Sequence, residues 1–183
     1  METKPMVIAA NKMDTPEARA NYEEITTDSE YEHLTIVPAS AHAEKSLKRA
    51  DEQGAIEYRA GDSEFERRAD LSGEQEAGLG QIEEFIQRFD GTGVQRALEA
   101  ALFSELSAIA VFPGSANGDP EDGKFMRDCF VLPESSTTED FAYFLHSDIG
   151  DGLLHGIDCR NGRQVGAGHE LSHRDVIEIV STN

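Results

Sequence analysis

Near the start of the chain, blocks of apolar and polar residues predict a strand, a helix and a second strand. The apolar run in residues 4–10 suits a strand buried on both faces, as in a parallel sheet covered by helices. Thr15 before Pro16 combines an N-cap with a first-turn proline and predicts a helix that continues to about Thr27. Residues 34–37 form a second short strand. This order predicts a βαβ unit, in which ligands bind where the parallel strands end.

Periodic apolar residues predict further helices in the middle of the chain. One covers residues 43–53 and ends at Gly54. Ser72 and Gln75 resemble a capping box, and the apolar residues after them recur at helical spacing. Residues 56–65 mix strand-like and charged positions, and no element is predicted there.

Thr92 is expected to cap one more helix. Its apolar residues fall on one stripe, which should pack against the preceding helix to make an antiparallel pair. The residues of this stripe are Val94, Leu98, Ala101, Leu102 and Leu106.

The final part of the chain changes character and favours strands. Residues 108–112 and 130–132 are apolar and of strand length, and Thr137 with Asp140 predicts the start of a short helix. Residues 176–180 alternate so that Ile177 and Ile179 share one face. We therefore expect a small sheet crossed by one helix.

The charge of the sequence indicates the salt environment of the protein and limits the kinds of partner that it can bind. Acidic residues outnumber basic ones 36 to 16, for a net charge of −20, and arginine outnumbers lysine 11 to 5. Such a surface is typical of a cytosol of very high salt, where screening relieves self-repulsion. The same charge disfavours unaided binding to DNA or RNA, because phosphate binding draws on lysine and arginine.

The cysteines and the longest apolar segments indicate a cytoplasmic protein. Cys129 and Cys159 are the only cysteines, which suggests a reducing compartment without a disulfide framework, although a single bridge stays open. The longest apolar run, residues 106–113, is far too short to span a bilayer, and the N-terminus has no apolar core of signal-peptide length. No membrane partner is expected.

Polar segments follow both strands of the predicted βαβ unit. The sequence Asn-Lys-Met-Asp occupies residues 11–14, and Ser-Ala occupies residues 40–41. An aspartate at the end of a strand can accept hydrogen bonds from both N1 and N2 of guanine, a pair of donors that adenine lacks. Asp14 is therefore a candidate for guanine selection. Either segment alone is equally typical of a polar turn, so the prediction depends on the two together.

The neighbouring residues have supporting roles in this prediction. Asn11 would hold neighbouring loops or contact the N7 edge, and Lys12 would lay its stem along the base. Backbone N–H groups of Ser40 and Ala41 would donate to the guanine O6.

A second motif, residues 169–173, matches the H-E-x-x-H string of zinc peptidases. That chemistry needs a helix, because helical geometry brings histidines four residues apart onto one face. Gly168 stands directly before the string, and the β-branched run 176–180 begins shortly after it. No useful helix fits there, and we expect an exposed turn with no metal.

Residues near the C-terminus carry a resemblance to a known module. The tracts 141–150 (FAYFLHSDIG), 161–166 (NGRQVG) and 171–180 look like a TGS domain, a ubiquitin-like β-grasp module. Its entry strand would include residues 111–113. Upstream, residues 4–14 and the helix start at residues 92–95 (TGVQ) are similar to the second half of the Obg-related, YchF-type GTPases in their archaeal form.

This resemblance implies a fold and a function. The fold is α/β followed by α+β: the C-terminal strands and helices of a P-loop-type G domain in residues 1–107, then a β-grasp TGS domain in residues 108–183. Members of the group use GTP or ATP, and Asp14 points to GTP. The resemblance also implies a cytosolic, translation-associated protein that contacts the ribosome or RNA through its TGS domain.

The sequence departs from the family pattern in one respect. No Gly-x-x-x-x-Gly-Lys-Ser/Thr loop occurs in the 183 residues, so Mg²⁺ would be held only through a missing N-terminal part and hydrolysis is not expected from this chain alone. The chain is then a C-terminal piece of a GTPase or one that has lost hydrolysis. The alternative is a non-enzymatic β-grasp adaptor that binds the ribosome, RNA or a protein.

Overall fold

The computed structural model describes residues 4–114 and 128–182, which belong to two compact units, Met1–Ala101 and Leu102–Asn183. Along the chain, the boundary between the units falls within a short π-helical segment, Ala100–Glu105. The first unit mixes parallel strands with helices and the second places helices on a mixed sheet, which confirms the expected fold class. The domain boundary between residues 107 and 108 stays a prediction.

The first unit opens with the predicted βαβ arrangement. Strand β1 (Val7–Ala10) leads to helix α1 (Pro16–Thr27), a 3₁₀ turn (Ser29–Tyr31) and strand β2 (Thr35–Pro38). The two strands pair in parallel with their carboxyl ends in register. Both loops that leave these ends therefore start at the same edge of the sheet.

The burial expected for the first strand is wrong. Ala9 is exposed, and the rest of β1 is half-buried. The physical reason is that the faces of β1 are only partly covered: among the described residues, the helix Val94–Glu99 is the one that packs substantially against this strand. Its apolar sequence nevertheless suits a strand covered on both sides.

The centre of the first unit consists of two helices and a two-stranded ribbon. Helix α2 (Ala41–Glu52) is followed by β3 (Ile56–Glu57), β4 (Glu66–Arg67) and helix α3 (Gly73–Phe89). β3 and β4 pair antiparallel, which gives the previously unassigned segment 56–65 a place in the fold. The largest apolar cluster joins these elements and the first loop; its buried members are Met13, Ala43, Leu47, Ile56, Tyr58, Phe65, Leu79, Phe85 and Ile86.

Two predictions for the next helix are wrong. Helix α4 covers only Val94–Glu99, and Gly93 is its N-cap, because the Thr92 hydroxyl is directed to a buried carboxylate instead. The apolar stripe also does not pair with α3: helix α4 lies against β1, and Leu98 is 60% exposed. Periodicity identified the apolar face but not the element that it faces.

The described part of the second unit contains a five-stranded sheet and two short α-helices. Its strands are β5 (Ala108–Pro113), β6 (Phe130–Pro133), β7 (Leu153–Asp158), β8 (Arg163–Val165) and β9 (Asp175–Ser181). They lie in the order β6-β5-β9-β7-β8, with β5 and β9 parallel and the other neighbours antiparallel. Helices α5 (Thr138–Leu145) and α6 (Ser147–Asp151) connect β6 to β7. The predicted sheet and helix are confirmed.

The capping predicted for α5 is also confirmed, since Thr137 and Asp140 form a reciprocal capping box. Phe141 is fully buried, whereas Phe144 on the same helix is 56% exposed. Both cysteines are free thiols; Cys129 is exposed and Cys159 is half-buried.

Candidate functional site

The segments that follow β1 and β2 lie side by side. The N–H of Ala39 donates to the carbonyl oxygen of Ala10 at 2.9 Å, and the N–H of Met13 donates to that of Ala39 at 3.1 Å. Met13 is buried beneath the loop and anchors it in the apolar cluster. The parallel register thus continues beyond the strands and fixes both predicted polar segments as neighbours.

Asp14 and Ser40 are in direct contact. The Ser40 hydroxyl donates to Oδ1 of Asp14 at 2.6 Å and accepts from the Ala43 N–H at 3.1 Å, as the N-cap of α2. Ser40 is fully buried, whereas Asp14 is exposed. A buried hydroxyl that makes two hydrogen bonds therefore orients a carboxylate that faces solvent. This arrangement is suited to accepting hydrogen bonds from a ligand.

Asn11 bridges the two loops. Its Oδ1 accepts from the Lys12 N–H at 2.8 Å and from the Ala41 N–H at 3.0 Å. Lys12 has φ of 65°, a left-handed conformation that costs about 1 kcal/mol for an L-residue, and the bond to Asn11 helps to hold it there. The loop-holding role considered for Asn11 is the one that this geometry favours.

One detail of the sequence prediction is wrong. The Ser40 N–H does not face the ligand side; it donates to the carbonyl oxygen of Thr92 at 2.8 Å, within the buried interior. Ser40 therefore contributes its hydroxyl, through Asp14, and not its backbone donor. The Ala41 N–H donates to Asn11 Oδ1 at 3.0 Å, so it is already occupied in this structure, and its predicted donation to a ligand oxygen stays a prediction.

A buried polar network behind the loops was missed by sequence reasoning. Oε2 of Glu44 accepts from the Thr92 hydroxyl at 2.6 Å and from the Tyr58 hydroxyl at 2.9 Å, while Lys48 Nζ lies 3.2 Å from Oε1. Burial raises the pKa of the Glu44 carboxyl, but the Thr92 and Tyr58 hydrogen bonds and the Lys48 ammonium outweigh it, and the net pKa lies below the ordinary value. The sequence held one signal of this network: Glu44 interrupts the apolar face that Ala43 and Leu47 form on α2.

A cleft adjoins the exposed carboxylate. It lies between α2 and α3, has a volume of about 620 Å³, and has Asp14 in its lining. Arg19 and His42 line it as well. Arg19 is held in place because its guanidinium donates to the carbonyl oxygen of Met13 at 2.7 Å. The carboxylate therefore borders a space large enough for a small organic ligand.

The H-E-x-x-H segment is not a helix, as predicted, but it is not simply an exposed turn: Glu170 forms an isolated β-bridge with Thr137, and Leu171 is buried in the core of the second unit. The N–H of Thr138 donates to the carbonyl oxygen of His169 at 3.0 Å, and His173 Nδ1 accepts from the Ala110 N–H at 3.1 Å. Within the described ranges, no three histidine, cysteine or acidic residues are grouped as metal ligands. In the same ranges, no helix is long and apolar enough to cross a bilayer.

Two family models match successive parts of the chain. Residues 9–115 match the model described as Obg-like GTPase YGR210-like, G4 motif-containing domain, and residues 117–181 match the TGS domain. These matches confirm the resemblances identified from the sequence.

Individual relatives agree with the family models. Over 98% of this chain, the GTP-binding protein MJ1332 of Methanocaldococcus jannaschii is 35% identical, and the match covers 46% of that protein. The crystal structure of a GTP binding protein from Pyrococcus horikoshii OT3 is 34% identical with a TM-score of 0.64, over 98% of this chain and 46% of its own. The structure of the Schizosaccharomyces pombe YchF GTPase shares the fold, with 11% identity and a TM-score of 0.53 over 97% of this chain and 43% of its own.

The chain spans less than half the length of each of these relatives. The YGR210-like model alone matches more than half of the 183 residues. The chain therefore belongs to the YGR210-like family of Obg-like GTPases, with a TGS domain following its G4-motif domain.

Proposed function

We propose that this chain supplies the base-recognition part of a GTP site. Asp14 accepts hydrogen bonds from N1 and N2 of guanine, and Lys12 lays its stem along the base. Asn11 and Ser40 hold these groups in place. The observation that carries the proposal is the 2.6 Å hydrogen bond by which buried Ser40 orients the exposed Asp14 carboxylate beside the cleft.

The chemistry of the carboxylate allows this role. A carboxylate has about four acceptor positions, and Ser40 occupies one of them on Oδ1. The others suffice for the two donors on the Watson–Crick edge of guanine. Adenine presents an acceptor at N1 instead, so an oriented carboxylate discriminates against it by leaving both groups unsatisfied.

We further propose that the phosphates and Mg²⁺ are bound outside this chain. The phosphate-loop string, whose backbone N–H groups and Ser/Thr hydroxyl would hold the phosphates and Mg²⁺, is absent from its 183 residues. GTP hydrolysis is accordingly not a property of this chain alone, which acts as the C-terminal piece of a GTPase.

Titration with fluorescent GTP tests base selection, using this chain and a longer version that carries a phosphate loop. We expect tight binding by the longer version and loss of binding in Asp14→Ala. Asp14→Asn replaces an acceptor by a donor, and xanthine has a carbonyl where guanine has its 2-amino group, so this variant should prefer xanthosine triphosphate. An unchanged preference for GTP in Asp14→Asn would refute the assignment of Asp14.

The second unit supports an interaction role, with the ribosome or RNA as the proposed partner. Phe144 is 56% exposed and stacks edge-on against Phe130 with ring centroids 5.9 Å apart, which leaves an aromatic surface on α5. Cosedimentation with purified ribosomes in molar salt tests this role. Phe144→Ser should reduce binding, whereas Leu154→Ser, at an equally exposed apolar residue, is the control.

A fourth proposal concerns the environment, a cytosol of high salt. The net charge of −20 supports it. Thermal melts in dilute buffer and in molar KCl test it, and the absence of stabilisation by salt would contradict it.

A further inference from the structure

We propose that Thr92 is a positioning residue for base recognition: through Ser40 and Glu44 it fixes the loop that orients Asp14. This inference rests on the proposed guanine site. It assigns a function to the turn between α3 and α4, which contributes nothing to the site in the sequence-based prediction.

The first step is the double attachment of Ser40. Its hydroxyl holds Asp14 at 2.6 Å, and its N–H is held by the Thr92 carbonyl oxygen at 2.8 Å. Ser40 and Thr92 are 0% and 1% exposed, so water cannot replace either partner. A displacement of Thr92 must therefore move Ser40 or leave its N–H unsatisfied, and moving Ser40 reorients the Asp14 carboxylate.

The second step is the attachment of Thr92 itself. Its hydroxyl donates to Glu44 at 2.6 Å, and Glu44 lies on α2, the helix that Ser40 caps. Tyr58 donates to the same carboxylate oxygen at 2.9 Å. Thr92 is thus hydrogen-bonded to Ser40 through its main chain and to the first turn of α2 through its side chain.

The third step is the close approach of the next residue. Gly93 has φ of +79°, and a Cβ built there would lie 1.9 Å from the carbonyl oxygen of Pro38 and 2.8 Å from Cα of Ala39. The turn therefore lies directly against the backbone that leads into Ser40. This contact is independent of the hydrogen bonds and also fixes the position of Thr92.

Hydrogen exchange in this 183-residue chain tests the positioning without any nucleotide. Thr92→Val keeps the shape of the side chain and removes the hydroxyl, while Thr92→Ser keeps the hydroxyl. We expect the Ser40 amide to exchange at least ten times faster in Thr92→Val and within about threefold of wild type in Thr92→Ser. Amides of α3 report whether the unit stays folded. Unchanged Ser40 exchange in Thr92→Val, with α3 still protected, would overturn the proposal.

Nucleotide preference in the longer version tests the consequence for recognition. Inosine triphosphate donates from N1 but lacks the 2-amino group, so the ratio of GTP to ITP affinity measures how well Asp14 is oriented. Thr92→Val should lower this ratio several-fold and Thr92→Ser should restore it; a purely structural role would weaken both nucleotides equally. If wild-type protein shows no preference for GTP over ITP, the proposed function fails, whereas the exchange result still decides the positioning of Ser40.

Discussion

Replacement of Gly93 by alanine is the sharpest test of the packing behind the base loop. Two effects act on the folded state. An L-residue at φ of +79° is strained by about 1–2 kcal/mol. In addition, the new Cβ would lie 1.9 Å from the Pro38 carbonyl oxygen, and backbone atoms on both sides cannot move aside as a flexible side chain would.

The second effect has a calculable consequence. Ordinary carbon–oxygen contacts lie at about 3.3 Å or more, so the turn must withdraw by more than 1 Å. That movement breaks the 2.8 Å bond between the Ser40 N–H and the Thr92 carbonyl oxygen, and an unsatisfied buried donor costs about 1–3 kcal/mol. We expect Gly93→Ala to lower the free energy of unfolding of the first unit by about 2–5 kcal/mol.

Gly54→Ala is the matched control. Gly54 has a similar φ of +71°, but nothing lies within 4 Å of its added Cβ, so the variant carries the strain without the overlap. Both substitutions reduce the entropy of the unfolded chain equally, and that contribution cancels in the comparison. Native-state hydrogen exchange of the α3 amides reports the first unit separately from the second. Equal destabilisation by the two variants would refute the close contact between the turn and Pro38.

Three further predictions concern pH and packing. Burial raises the pKa of Tyr58 to about 12 from 10.0 in the unfolded chain, so the folded state holds this proton more tightly and stability falls as pH rises from about 10 to 12; alkaline urea titrations of Tyr58→Phe should lack this loss, which is about 2–3 kcal/mol. Phe141→Ala in the second unit should cost about 3–5 kcal/mol in urea unfolding, whereas Phe144→Ala should cost less than about 1 kcal/mol. Hydrogen bonds from Thr137 lower the pKa of Asp140. The stability that this carboxylate contributes is therefore present above its ordinary pKa of 3.8 and is lost as pH falls further. In thermal melts, Asp140→Ala should cost about 1 kcal/mol at pH 7 and little at pH 2.

Features set by neighbouring residues were predictable from the sequence. Thr15 caps α1, and Ser72 and Gln75 form their capping box, because these bonds join residues three positions apart. The alternation that places Ile177 in the core is likewise local. The contact between Asp14 and Ser40 was also within reach, because parallel strands bring the loops at their carboxyl ends together.

Features set by distant partners were not predictable in the same way. Thr92 looks like an N-cap when only the following helix is considered, but its hydroxyl bonds to Glu44, which is 48 residues away. The apolar stripe on α4 has the expected periodicity, yet the amphipathic pattern does not specify that the helix lies against β1. In both cases tertiary contacts decided between alternatives that the local sequence allowed equally.

The hydrogen bonds at the proposed site concern the choice of base, which is distinct from the affinity for the whole nucleotide. Every contact that orients Asp14 is made within the first unit: Asn11 to Ala41, Ser40 to Asp14, and Thr92 to Ser40. Base reading can therefore be preorganised without any phosphate contact. Two hydrogen bonds to a charged acceptor contribute about 3–6 kcal/mol together, and a millimolar dissociation constant requires about 4 kcal/mol. If the proposed function holds, we expect the chain alone to prefer guanine to adenine yet to bind it only at about millimolar concentration, and we expect the proposed phosphate-binding part to supply the remaining affinity.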